Sequence, residues 1–107
     1  MSALDNLKKL TALDGVSGDE KPVRDYILSQ VKDYVDDYWI DNLGNLITYK
    51  KGSGNGPRVM LDAHMDEVGM MVTQINSDGL LKFQIVGGIE DRVLVGKRVR
   101  IGENKIP

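Results

Sequence analysis

The chain of 107 residues has the length of one modest domain, and its net charge of −2 gives no electrostatic footprint for nucleic acid or an anionic membrane. It contains no cysteine, which removes disulfides, thiolate metal sites and cysteine nucleophiles together. Hydrophobic residues at 41% can supply a core, and charged residues at 28% suit a solvated surface.

The opening stretch MSALDNLKKL has no apolar h-region, so no signal peptide is expected, and no apolar run reaches the length of a membrane span. Leu4, Leu7, Leu10 and Leu13 recur at helical spacing and predict a helix over 3–13. Ser2 followed by Asp5 reads as a capping box with Asp in place of Glu. DGVSGDE breaks the pattern, with Gly15 and Gly18 suited to a turn. Pro22 fits the first turn of a second helix, over 20–35, whose apolar stripe is Val23, Ile27 and Val31. Arg24, Asp25, Lys32 and Asp33 then fall on or near its solvated face.

From Asp37 the period changes. DYWID and LITYK read as two strands around the turn DNLGN, where Gly44 can take positive φ. Trp39 and Tyr49 are expected to pack on these strands. The glycine-rich loop KGSGNGP leads into RVMLDAH, apolar enough for a central strand. GMMVTQI and LLKFQIV, joined by NSDG, form a predicted hairpin. GGIEDR is expected as a loop and VLVGKRVRI as a further strand. The pattern is therefore ααβββ as far as Glu67 and all-β from Val68 onward, a mixed α/β chain with a module boundary between them. The close at GENKIP leaves a strand without an evident partner, which suggests a truncated or processed piece.

Chemistry concentrates in VMLDAHMDEVG, residues 59–69, which holds His64, the sole histidine. A strand ending in His-x-Asp puts both side chains on one side, so the Asp66 carboxylate can reach the His64 imidazole and fix its tautomer. Strand ends in α/β sheets are where functional sites tend to lie. Spacing alone leaves a metal ligand, a hydrogen-bonded strand-end histidine and a titrating switch all open. Asp62 sits inside the apolar run and is expected to be buried and hydrogen-bonded, because an unpaired buried carboxylate is costly. Glu67 reads as a base or, more simply, as surface.

LTALDGVSGDEKPVR, DNLGNLI, LDAHMDEVGMMV and DGLLKFQIVGGIEDRVLVGKRVRI follow one another in family order and spacing. The chain resembles the dinuclear-metal glutamyl or deblocking aminopeptidases, whose members include large tetrahedral assemblies and some that carry glucanase names. The resemblance implies an α/β metallopeptidase domain over 1–67 and the beginning of an inserted β dimerisation domain over 68–107. His64 matches the first metal ligand and Asp66 the aspartate that orients a ligand and tunes the site. Glu67 matches a motif position with no role carried over.

Family members are much longer. Their metal-bridging aspartate, glutamate general base, remaining carboxylate ligand and second histidine match nothing here. The resemblance thus implies an N-terminal fragment of a cytoplasmic metallo-aminopeptidase acting on peptides through a pair of divalent metal ions, zinc or cobalt. No stable metal binding and no activity are expected of this stretch by itself, since catalytic zinc usually takes about three protein ligands. The complete protein is expected as dimers that build a tetrahedral dodecamer, without nucleic-acid or membrane partners. Two other readings stand beside this one. One is a non-catalytic piece that assembles with another chain through an exposed sheet edge. The other is a glucanase, for which no pair of flanking carboxylates stands out.

Overall fold

A computed structural model describes residues 2–107. Helix α1 spans Ala3–Leu10 and starts from a reciprocal cap. The Ser2 hydroxyl accepts from the Asp5 N–H at 3.2 Å, and the Asp5 carboxylate accepts from the Ser2 N–H at 3.0 Å. The helix stops short of the expected residue 13. The Thr11 hydroxyl donates to the Leu7 carbonyl at 2.9 Å, and the Ala12 and Leu13 amides reach only three residues back, which tightens and ends the coil.

Helix α2 spans Lys21–Val31, with Pro22 in its first turn, and runs on as a 3-10 turn over Lys32–Tyr34. Val23, at 7% exposure, is the buried hydrophobic residue of the described chain. The Tyr26 hydroxyl donates to the Asn6 side-chain oxygen at 3.1 Å, tying α2 to α1. Arg24 departs from the expected solvated face: its guanidinium donates to the Gly44 carbonyl at 3.0 Å. The charge therefore anchors the following hairpin turn instead of facing water.

That hairpin pairs β1 (Asp37–Ile40) antiparallel with β2 (Leu46–Tyr49), in register from Asp37 with Tyr49 to Ile40 with Leu46. Asp41 organises its turn. One carboxylate oxygen accepts from the Leu43 and Asn45 amides, each at 2.9 Å, and the other accepts from the Asn45 side chain at 2.9 Å. Gly44 sits at φ 86°, where a Cβ would be strained. Trp39 and Tyr49 remain about half exposed, at 47% and 51%, so the expected packing is only partial.

The expected third strand over RVMLDAH does not form. Residues 58–64 have no ladder partner among the described residues, and Val59, Met60 and Leu61 are 79%, 86% and 93% exposed. A strand exists only through a neighbour's backbone groups, and apolar character alone does not supply one. Asp62 is correspondingly exposed, not buried.

The chain divides into two compact units, one running to Glu67 and one from Val68 to Pro107. In the second, β3 (Gly69–Ile75) pairs antiparallel with β4 (Leu81–Val86), with a register shift between Val72 and Gln74. The remainder is not all-β as expected. Asp91–Leu94 forms a short helix, α3, where a loop and a strand were predicted to meet. The predicted strand VLVGKRVRI is reduced to a single bridge between Ile101 and Ile106. The Val93 and Lys97 amides bond back to Glu90 and Leu94, at 3.0 and 3.1 Å, and these local turns win where no neighbouring strand is on offer. Among the described residues no helix is long and apolar enough to cross a membrane.

A histidine–aspartate pair braced by the turn between α1 and α2

The turn after α1 and the segment after His64 are laid side by side. Val16 and Glu67 form a parallel bridge, and the Glu67 amide donates to the Gly15 carbonyl at 2.7 Å. The Glu67 carboxylate accepts from the Gly15 amide at 3.3 Å. Glycine is needed at 15 because a Cβ there would lie 2.7 Å from Val23 Cγ2 and 3.4 Å from the Met65 carbonyl oxygen. Glu67, left between base and surface by its sequence position, is thus an exposed side chain that clamps two segments together.

His64 and Asp66 come together as the His-x-Asp spacing predicts, although not at the end of a paired strand. His64 Nδ1 lies 3.0 Å from the Asp66 carboxylate and 3.0 Å from the Asp66 backbone carbonyl. Both neighbours are acceptors only, since an ionised carboxylate and a carbonyl have no proton to give. Nδ1 therefore carries the ring proton, and the lone pair of the neutral imidazole is on Nε2. The His64 side chain is 85% exposed and that of Asp66 41%.

The second carboxylate oxygen of Asp66 accepts a hydrogen bond from the Ser17 hydroxyl. Ser17 first, then His64, hold the Asp66 carboxyl below its ordinary value of 3.8 by hydrogen bonding to the charged form. Ser17 was not among the residues expected at the site. It lies 49 positions from Asp66, and no local spacing rule links the two. Beside this cluster is a cleft of about 350 Å³ lined by Leu10, Leu13, Val23, Ile27, His64 and Glu67, among others.

The donor set fits one metal ligand: an exposed imidazole whose Nε2 lone pair is available and whose Nδ1–H is engaged by a carboxylate. It does not make a complete site. Among the described residues, no three histidine, aspartate or glutamate side chains converge to hold an ion.

Residues 44–107, which include the His64–Asp66 pair, match the family described as M42 glutamyl aminopeptidase. The chain belongs to that family. It is 40% identical over 100 residues to the lysyl aminopeptidase of Pyrococcus furiosus, covering 92% of this chain and 28% of that protein. The solved dodecamer PhTET1-12s superposes with a TM-score of 0.84 at 42% identity, covering 98% of this chain and 32% of that one. A Thermotoga maritima structure named an endoglucanase superposes with a TM-score of 0.80 at 46% identity, covering 88% and 31%. The chain thus spans only 28% of the length of that lysyl aminopeptidase. Its mixed helix-and-strand fold is that of the corresponding part of these M42 structures.

Proposed function

We propose that this chain is the N-terminal part of a metal-dependent aminopeptidase that removes N-terminal residues from peptides, with His64 as a metal ligand through Nε2. The observation that carries this reading is the pair of acceptors on His64 Nδ1, which leaves Nε2 as the ring's donor atom toward a metal. In this reading Asp66 fixes the tautomer and raises the basicity of the imidazole. Glu67 clamps the segment to Gly15 and takes no part in the chemistry. A pair of divalent metal ions, zinc or cobalt, would supply Lewis-acid activation of water and of the scissile carbonyl. The remaining ligands and the general base would come from the rest of a longer protein, so the chain alone is proposed to be inactive.

The same reading assigns residues 1–67 to the catalytic domain and 68–107 to the beginning of an inserted β domain. The division of the chain at Glu67 and Val68 supports it. Dimers that build a tetrahedral dodecamer and act in the cytoplasm complete the proposal; the dodecameric relative supports the assembly alone. The glucanase reading has less support, because the residues that meet are a histidine and a carboxylate, not two carboxylates flanking a cleft. A second reading, a non-catalytic piece that assembles with another chain, has the support of the two-stranded β3–β4 sheet, whose outer edges are unpaired among the described residues, and of the exposed apolar run Val59–Leu61.

The test is a chimera in which this chain replaces the matching segment of the Pyrococcus furiosus lysyl aminopeptidase. Release of N-terminal residues from peptides in the presence of zinc or cobalt, abolished by H64A, is expected. A folded, metal-loaded chimera without activity, or one indifferent to H64A, overturns the reading.

A further inference from the structure

We infer that Ser17 is a positioning residue: from the turn between the first two helices it holds the Asp66 carboxylate so that His64 keeps its proton on Nδ1 and presents Nε2 outward. This role rests on His64 acting as a ligand, as proposed above. A carboxylate that meets a histidine two residues away is free to rotate about its terminal torsion, which is broad and roughly two-fold. One contact to Nδ1 does not fix that rotation. The Ser17 hydroxyl fixes it by donating to one oxygen of Asp66 while the other accepts from the ring at 3.0 Å. Each oxygen then has a separate task, and their exchange would break two hydrogen bonds at once.

The turn itself cannot drift from this position. Gly15 is held to Glu67 through both its amide and its carbonyl, and it lies against Val23, the buried residue of α2. Ser17 follows two residues later on the same turn. The order of dependence is α2, the turn, Ser17, Asp66 and then His64, so an exposed imidazole is oriented by a residue 49 positions away from the carboxylate that touches it. The exposure of the ring makes this bracing necessary. At 85% exposure no packing restrains it, and water competes for both nitrogens.

The sole histidine gives a clean readout, because nitrogen-15 spectra of the imidazole contain one ring and report its tautomer directly. The full chain is compared with S17A, S17T and S17V at alkaline pH, once the ring resonances have stopped moving. In the parent chain and in S17T, which keeps the hydroxyl, Nδ1 is expected as the protonated nitrogen. In S17A and S17V the two nitrogens are expected to shift toward the averaged positions of exchanging tautomers. S17T and S17V differ by a hydroxyl against a methyl, so they separate the hydrogen bond from volume.

Identical ring spectra in all four proteins overturn the proposal, as does a parent chain already averaged between tautomers. Unfolding of S17A and S17V with S17T intact also overturns it, because the hydroxyl would then hold the fold and not the ring. None of these readouts depends on peptidase activity, so an inactive chimera and an unbraced imidazole are separate failures.

Discussion

Placing a methyl group on Gly15 tests whether the turn is seated on α2 as closely as the structure indicates. In G15A the new Cβ would stand 2.7 Å from Val23 Cγ2, well inside van der Waals contact. Val23 is 7% exposed and has little room to retreat, so the expected penalty is that of overpacking, about 1–3 kcal/mol. The φ of Gly15 lies outside the left-handed region, so alanine also removes unfolded-state freedom and returns ~0.4–1 kcal/mol. The mid-range expectation is a net loss of about 1.3 kcal/mol, which lowers the melting temperature by roughly 4–8 °C per kcal/mol in a domain of this size.

V23A removes the atoms that collide. Alone it should cost about 1.5 kcal/mol, from the apolar groups withdrawn from the interior. If the clash is the cause, the G15A/V23A double mutant should be hardly worse than V23A, with a favourable coupling of about 1–2 kcal/mol. Urea unfolding followed by far-ultraviolet circular dichroism measures all three. Additivity within ~0.5 kcal/mol would refute the steric reasoning, and a G15A protein as stable as the parent would refute the seating of the turn.

Acid should weaken the β1–β2 hairpin through Asp41. The Asn45 side chain first, then backbone amides, hold its carboxyl below 3.8, so its contribution is complete above that value and is lost as pH falls through the lower folded value. Fluorescence of Trp39 on β1 should report this loss, and D41N, which does not titrate, should reduce the pH dependence by the share that Asp41 contributes. Isothermal titration of the isolated chain with zinc or cobalt should show no tight stoichiometric site; a tight site at His64 would contradict the proposal that the other ligands lie elsewhere. The exposed run over Val59–Leu61 should drive self-association, seen by size exclusion with light scattering, and M60K/L61D should abolish it. A monodisperse monomer with a cooperative melt would show that this face needs no cover.

The elements that were legible in the sequence are those closed by local interactions. Ser2 and Asp5 announce α1, Pro22 announces α2, and the turns at Gly44 and at NSDG set two hairpins, because every partner lies within a few residues. The errors fall where a distant partner decides. RVMLDAH and VLVGKRVRI have the composition of strands, yet composition does not state whether a neighbouring backbone is at hand; among the described residues the first has none and the second only the bridge from Ile101 to Ile106. Arg24 looked solvated by periodicity and is drawn in by a carbonyl on a hairpin turn, 20 residues away.

The candidate site follows the same rule, and this bears on its function. The pair His64 and Asp66 was legible because the two lie only two positions apart. The groups that make the pair rigid, Gly15 and Ser17, were not, because they come from a turn that meets the segment only in the fold. An exposed histidine two positions from an aspartate keeps its carboxylate contact only while the carboxylate holds its rotation, and the pair alone does not fix that rotation. The feature that sets this one apart from a surface histidine is the bracing behind it, in which the Ser17 hydroxyl holds the far oxygen of Asp66 from a turn that Gly15 seats against Val23. Such bracing has no evident use in a ring that only meets water. It fits a ring that must offer one nitrogen in one direction, and that is the demand a metal makes of its ligand.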